Sequence, residues 1–399
     1  MADGLIVTMN AGSSSLRCGV FRLGGGAPQV IRRLSIRGLT GDMVASERDL
    51  VTGAHDEIAL GTPDSPEAAH RRAFEHMVER LNDVAQGGRI AGFAHRVVHG
   101  GAEFAAPVEV TDAVLERLAE LAPLAPSHQI HNLRPIRKLR DHYPGVPQIA
   151  CFDTAFHRTQ PRLAQLYGLP RDLTEDGILR YGFHGLSYES IAGSLRQSCP
   201  EIADKRVIVA HLGNGVSMCA LNAGRSIATT MGLTALDGMP MGQRSGALDP
   251  GAVLHLIIDR GHSPEAVRDM LYTRSGMLGV SDISGEMNDL LASDRPEAQE
   301  AVDFFVYRFG RTFGSLMGAL GGVDGVVLTA GMGEHIAALR ARLINEIRWA
   351  GAELDVAAND THGPRLTTEQ SRLPVWMLRT DEEQVLAQSA SALLGRIAT

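Results

Sequence analysis

Leu5-Ile-Val-Thr-Met9, Asn10-Ala-Gly-Ser-Ser-Ser15 and Cys18-Gly-Val-Phe-Arg-Leu23 follow one another near the start of the chain. A short apolar run, a turn of small residues and a second apolar run read as a β-hairpin. The pattern recurs half a chain later as Val207-Ile-Val-Ala-His211, Leu212-Gly-Asn-Gly-Val216 and Ser217-Met-Cys-Ala-Leu221. A third related unit is Gly325-Val-Val-Leu-Thr-Ala330, followed by Gly331-Met-Gly-Glu-His335. Hairpins repeated at this distance imply a duplicated domain. Helical periods lie between them, over Pro66 to Val84, Asp112 to Leu121, Leu133 to His142, Arg295 to Leu320 and Thr380 to Arg396. Strands alternating with helices predict an α/β architecture. Gly24-Gly-Gly26 reads as a loop or hairpin tip.

The 399 residues suggest two or three domains. With 46 acidic and 38 basic side chains the net charge is −8, which disfavours a nucleic-acid-binding role. Apolar residues make up 44% and charged residues 21%, ordinary globular values that argue against disorder. No apolar run is long enough to span a membrane, and the N-terminus lacks the basic region of a signal peptide. The cysteines Cys18, Cys151, Cys199 and Cys219 are scattered, which suits reduced thiols and a cytoplasmic location and gives no zinc pattern. Only Lys138 and Lys205 are lysines, so arginine and histidine must supply most of the cationic chemistry.

Several short segments are candidates for that chemistry. The turn Asn10–Ser15 reads either as a polar hairpin turn or as a phosphate cradle of amides and hydroxyls, and it matches neither the P-loop nor the Rossmann pattern. His95-Arg-Val-Val-His-Gly-Gly101 places Arg96 at a strand end beside glycines, suited to an Arg–acid pair or to capture of a carboxylate or phosphate. Phe152-Asp-Thr-Ala-Phe-His157 gathers an acid, a hydroxyl and an imidazole, while His184 and His211 each sit among glycines. Histidines in such settings are either structural or catalytic. The Gly/Pro-framed loop Met239–Pro250 carries Arg244, a cation able to neutralise a transferring phosphoryl group.

Seven of these segments, in order, resemble the acetate kinase family. They are Asn10–Leu16, His95–Gly101, Phe152–His157, Arg180–Gly185, His211–Gly215, Asp237–Gly246 and Thr329–Glu334, spread from residue 10 to residue 334. The resemblance implies two ribonuclease-H-like (actin-like ATPase) domains flanking a nucleotide and substrate cleft. The expected boundaries are 1–152 plus 384–399 for the N-terminal domain and 153–383 for the C-terminal, nucleotide-binding one. It further implies a homodimer that transfers phosphate reversibly between ATP and a short-chain carboxylate, with Mg²⁺ or Mn²⁺, and acts on no nucleic acid or membrane. Carried over by position, Asp153, Arg96, Arg244 and His184 are expected to be catalytic. Arg96, Val98 and Phe183 would bind the acyl substrate, and His128 and His211 would line the phosphate path. Asn10 and Glu382 would hold the metal. Arg17, His211, Gly213, Asn214, Gly215, Glu286, Met287, Asn288, Gly331, Gly333 and His335 would bind the nucleotide.

The chain departs from the family's pattern at several points. Arg17 replaces a lysine, Ser127 a leucine and Ala235 a proline, and the last two fall in the acyl pocket. Ser284-Gly-Glu-Met-Asn288 and His335 alter the nucleotide side. A propionate-preferring kinase or a donor other than ATP is therefore the alternative within the same chemistry. A nucleotide-driven binding protein would need a further substrate-binding domain, and none follows residue 380. A non-catalytic scaffold is disfavoured by the presence of Arg96, Asp153, His184, Arg244 and Glu382.

Overall fold

The computed structural model describes residues 4–12, 14–85, 88–125 and 128–397. The chain divides into two units, Met1–Ala155 with Asp381–Thr399, and Phe156–Thr380. The first holds strands β1 (Gly4–Ala11), β2 (Ser15–Arg22), β3 (Gln29–Arg37), β4 (Met43–Asp49), β5 (His55–Gly61), β6 (Arg89–Val97), β7 (Val108–Glu109) and β8 (Gln148–Phe152). Their order in the sheet is β5-β4-β3-β2-β1-β6-β8-β7. The second holds β9 (Arg206–Leu212), β10 (Val216–Asn222), β11 (Arg225–Thr229), β12 (Gly325–Thr329) and β13 (Val375–Met377) in the order β11-β10-β9-β12-β13.

The duplication appears in the pairing. In the first unit β1 pairs antiparallel with β2, β2 antiparallel with β3, and β1 parallel with β6, which is parallel with β8. In the second, β9, β10, β11, β12 and β13 repeat the same sequence of antiparallel and parallel neighbours. Both expected hairpins are present, with Asn10 opposite Arg17 and Leu212 opposite Val216. The third unit is not a hairpin: β12 runs directly into the short helix Ala330–His335.

Helices cover the sheets at their central strands, which, as in β1 and β9, are apolar on both faces. Tyr188, Ile191 and Leu195 of helix Gly185–Ser198 pack with Val207, Val209, Cys219, Leu221 and Val327 from alternate strand positions. Helix Pro66–Ala85 buries Ala69, Ala73, Phe74, Met77, Val78 and Leu81 against the first sheet. The last helix, Glu382–Ile397, packs on β1 and β6 of the first unit. The expected boundaries after residues 152 and 383 would put Asp153 and Glu382 in the second domain. Here both lie with the first unit, because the Asp153 amide donates to Val97 O at 3.1 Å and Glu382 opens the returning helix.

Candidate active site

Two clusters of the expected residues form, one within each unit. The first lies at the carboxyl ends of the parallel strands β1, β6 and β8, where α/β sheets commonly bind ligands. The register sets Met9 beside His95 and Val97 beside Phe152, so Asn10, Arg96 and Asp153 emerge at the same sheet edge. Arg96 Nε donates to both Asp153 carboxylate oxygens at 3.0 and 3.2 Å, and Nη2 donates to Oδ2 at 2.7 Å. Nη1 donates to Asn10 Oδ1 at 3.3 Å, and Asn10 Nδ2 reaches Glu382 Oε2 at 3.5 Å. The Asp153 side chain is 1% exposed and that of Arg96 20%. Burial opposes the Arg96 charge, but the carboxylates of Asp153 and Glu382 outweigh it and hold its pKa above the usual arginine value. Asp153 thus serves first as the partner that orients a permanently charged guanidinium. Arg17, expected on the nucleotide side, belongs to the first unit and stands across the hairpin from Asn10.

The loop after Arg96 is held by two amides that sequence reasoning missed. Asn132 Oδ1 accepts from the Val98 amide at 3.0 Å while its Nδ2 donates to Ala11 O at 2.6 Å. One buried side chain therefore ties the end of β1 to the end of β6. Gln129 accepts from the His99 amide and donates to His99 O and Leu118 O. Both sit on helix Gln129–His142, which begins four residues before the expected Leu133. The apolar period hides this first turn, because its inward side chains are polar. His95 is a core histidine: burial pushes its pKa down to about 4, partly offset by a 2.7 Å hydrogen bond to Gln148. Val98 is 4% exposed. Replacing Asn132 with Ala strands the Val98 amide and the Ala11 carbonyl, so we expect a loss of roughly 2 kcal/mol of stability. A lower kcat at little-changed KM should accompany it. Urea melts and steady-state rates check this, and an unchanged kcat would show that the tether does not position Arg96.

The second cluster is built on the β9–β10 hairpin. His184 and His211 stack with ring centroids 4.1 Å apart. His211 Nδ1 meets Ser187 Oγ at 2.8 Å, and His184 Nδ1 meets Ser217 Oγ at 2.8 Å. Ser217 is also bonded to the buried Tyr188 hydroxyl, whose pKa burial pushes up, so the phenol stays protonated. With both Nδ1 atoms engaged, the Nε2 atoms point toward the glycine turn. A Cβ on Gly215 would stand 2.9 Å from His184 Nε2, and one on Gly213 would stand 3.1 Å from His211 Nε2. The same Gly215 position lies 3.7 Å from Arg244 Nη1. Glycine there keeps a side chain out of the space beside both imidazoles and the guanidinium. His184 itself adopts φ 59° and ψ 24°, a left-handed conformation that costs a non-glycine residue on the order of 1–2 kcal/mol. Strain of this kind is retained where a side chain must be aimed.

Arg244 Nη1 donates to Ala235 O at 3.0 Å. Its loop is pinned by the Met277 and Leu278 amides, which donate to Met241 O and Gly242 O at 2.9 Å each. His157 is structural: Nε2 donates to Phe183 O at 2.9 Å and Nδ1 accepts from Ser226 Oγ at 2.9 Å. Phe183, expected in the acyl pocket, is 1% exposed.

The remaining nucleotide-side residues all belong to the second unit. Asn214 is exposed at the hairpin tip. Gly331 has open space where a side chain would stand, and a Cβ on Gly333 would stand 3.3 Å from the Leu328 carbonyl carbon. His335, Glu286 and Asn288 are exposed, whereas Met287 is 2% exposed and packs inward. Glu334, which motif reading left without a role, accepts from the Ala330 and Thr380 amides at 3.0 and 3.3 Å and so fixes the glycine turn. Arg340, fully buried, donates to Gly333 O and Glu334 O and closes the other end of that helix. Ser127 lies outside the described residues.

Among the described residues no group of three or more His, Cys, Asp or Glu side chains is arranged to hold a metal. Asn10 and Glu382 offer one amide oxygen and one carboxylate, and Asn10 Oδ1, like the Asp153 carboxylate, also accepts from Arg96. That set is too small for a protein-only cage. It fits Mg²⁺, which keeps waters and takes phosphate oxygens alongside one or two carboxylates.

The Acetokinase family model matches residues 5–388. The chain is 43% identical to an acetate kinase of Nitrobacter hamburgensis, covering 98% of this chain and 96% of that one. It is 44% identical to an acetate kinase of Rhodopseudomonas palustris, over 97% and 98% of the two chains. Among solved structures, a propionate kinase from Francisella tularensis superposes with TM-score 0.87 at 29% identity over 97% and 98% of the chains. The acetate kinase of Entamoeba histolytica superposes with TM-score 0.84 at 29% identity over 98% and 99%. A match of this extent, over a chain that carries both clusters, places the protein in the acetokinase family.

Proposed function

We propose that this enzyme is an acetate kinase, converting ATP and acetate reversibly to ADP and acetyl phosphate. The observation that carries the reading is the convergence of His184, His211 and Arg244 on the open Gly213–Gly215 turn in a chain of this family. An acetate oxygen attacks the γ-phosphorus in line, the bond to the β–γ bridging oxygen breaks, and ADP leaves with that electron pair. Acetate is already ionised at neutral pH, so no general base is needed. The difficulty is bringing two anions together, and fixed cations reduce it. Arg96, held by Asp153, binds the carboxylate. Arg244 and the Nε2 atoms of His184 and His211 meet the phosphoryl oxygens. Gly213, Asn214, Gly215, Gly331 and Gly333 leave room for the nucleotide, with Glu286, Asn288 and His335 at its rim. Asn10 and Glu382 would hold Mg²⁺, which would supply charge neutralisation on the phosphates. A hydroxamate assay across formate, acetate, propionate and butyrate, with ATP and pyrophosphate as donors, tests the reading. Absence of acyl phosphate with every pair would overturn it.

Acyl choice is set by a pocket missing volume. Ala235 and Ser127 stand where the family carries larger apolar residues, so a further methylene has room. One methylene is worth only about 1–3 kcal/mol of discrimination. We expect propionate to be used with kcat/KM within roughly tenfold of acetate, the weak end of that range. Ala235→Pro should shift preference toward acetate. It keeps the carbonyl that accepts from Arg244. Measuring kcat/KM for both acids on both proteins decides it, and a wild type favouring acetate far beyond tenfold would refute the open pocket.

We also propose a cytoplasmic homodimer. Helix Pro250–Ile258 buries none of its residues, and Leu254 and Ile258 are 55% and 71% exposed. An exposed apolar helix face of this kind suits an interface between copies. Sedimentation of wild type and Ile258→Glu should give dimer and monomer masses; a monomeric wild type would refute it. Among the described residues no helix is long and apolar enough to cross a membrane.

A further inference from the structure

Lined by none of the residues of either cluster, a small cationic pocket of the first unit lies at the turn that follows Asn10. Its walls are Gly12 and Ser15 of that turn, His70 of helix Pro66–Ala85, and His131, Arg134 and Lys138 of helix Gln129–His142. His70 and His131 stack with centroids 4.7 Å apart. Among the described residues, the buried His131 Nδ1 has no hydrogen-bond partner. Lys138 Nζ lies 4.8 Å above the Phe74 ring, which holds the ammonium beside the pocket. Among the described residues no carboxylate forms an ion pair with Arg134 or Lys138; Glu75 is the acid that acts on Lys138, against Arg71 and Arg134. About 20 Å³ is open to the centre of a water-sized group, room for one small ion and not for a nucleotide.

Two cations, two stacked imidazoles and an unpaired ring nitrogen around one small space lack only negative charge. We propose that this pocket is a binding site for a small oxyanion of the phosphate and sulfate class, distinct from the substrate site. The anion accepts from the Arg134 guanidinium, the Lys138 ammonium and the imidazole nitrogens. Ala11 alone separates Asn10 from Gly12, so an occupied pocket restrains the turn next to Asn10 and makes the site a regulatory one.

The imidazoles make binding pH-dependent. Burial, then His131, Arg134 and Lys138, push His70 down to about 4, and burial with Arg134 lowers His131. Both are neutral at pH 7.5 in the free protein. A bound anion raises both pKa values, so binding takes up protons and tightens as pH falls. Sulfate is the probe, because its charge does not change between pH 6 and 8. The experiment follows the imidazole resonances of the full chain by NMR during a sulfate titration at constant ionic strength in chloride. His70 and His131 are assigned from His70→Gln and His131→Gln. We expect both resonances to move saturably toward the protonated position, with affinity at pH 6 at least fivefold tighter than at pH 8. Arg134→Gln/Lys138→Gln should weaken the response at least tenfold, and Arg134→Gln alone should weaken it if the double variant folds poorly. Movement of His184 or His211 with no movement of His70 and His131 would overturn the proposal, because sulfate would then occupy only the substrate site. An unchanged titration in folded Arg134→Gln/Lys138→Gln would overturn it equally.

Discussion

Arg96→Ala lowers kcat by on the order of 10²-fold or more, as expected when a cation that stabilises transition-state charge is removed. The structure adds a second expectation. Arg96 donates three hydrogen-bond contacts to an Asp153 side chain that is 1% exposed. Removing the guanidinium leaves a buried carboxylate without its arginine, which typically costs about 3 kcal/mol or more. Arg244→Ala should cause a comparable loss of kcat, since its guanidinium, which donates to the Ala235 carbonyl, is the cation proposed to meet the phosphoryl oxygens. Adding Asp153→Asn to Arg96→Ala removes the uncompensated charge and should recover much of the stability while leaving the enzyme inactive. Urea unfolding and single-turnover rates on these proteins give both readings. Near-wild-type turnover in both single variants would mean that the active site has been misplaced.

What could be read from the sequence follows from which physical signals leave a period or a motif. The β1–β2 and β9–β10 hairpins were legible because apolar strands flank turns of small residues, and pairing order then revealed the shared five-strand plan. Strands β4 and β5 were not read. Their sequences, MVASERD and HDEIALG, are rich in charge, and β5 is almost wholly exposed. Pairing holds them in the sheet, and Met43 and Ala45 of β4, which do reach the core, are too few to mark a strand. Arg96, Asp153, His184 and Arg244 were legible as motif residues, and the structure gathers them into two local clusters. Asn132, Gln129 and Glu334 were not, because a buried amide or carboxylate that bonds to backbone has no sequence signature beyond its polarity. Their partners are carbonyls and amides of distant loops, visible only after folding. Met287 shows the reverse: position in a motif suggested a ligand contact, yet its side chain faces the core.

The adjacent acids Glu382 and Glu383 should behave oppositely when altered, although both open the same helix. Glu382 Oε2 reaches Asn10 at 3.5 Å, beside Arg96, and under the proposed function it would share a magnesium ion with substrate phosphates. We expect Glu382→Ala to lower activity on the order of 10²-fold at physiological magnesium, with partial recovery as MgCl₂ is raised. Glu383 turns inward instead. Its Oε2 lies 3.4 Å from Arg33 Nη1 and would meet a Cβ placed on Gly19 at 2.9 Å. Burial raises its pKa above the usual carboxylate value, opposed by Arg33 and Arg17 and reinforced by Asp381 and Glu382. A carboxyl whose folded pKa is raised favours the fold while protonated, and that contribution is lost as pH rises through the folded pKa. At pH 7.5 its charge therefore costs stability. Glu383→Gln should keep near-wild-type kcat and magnesium response and melt slightly higher at pH 7.5, with the advantage vanishing below about pH 4.5, the ordinary range for glutamate. Rates against MgCl₂ and melts against pH on the two variants separate the roles. Equal magnesium defects would mean that the metal is shared by both acids, and that the inward turn of Glu383 does not persist in the working enzyme.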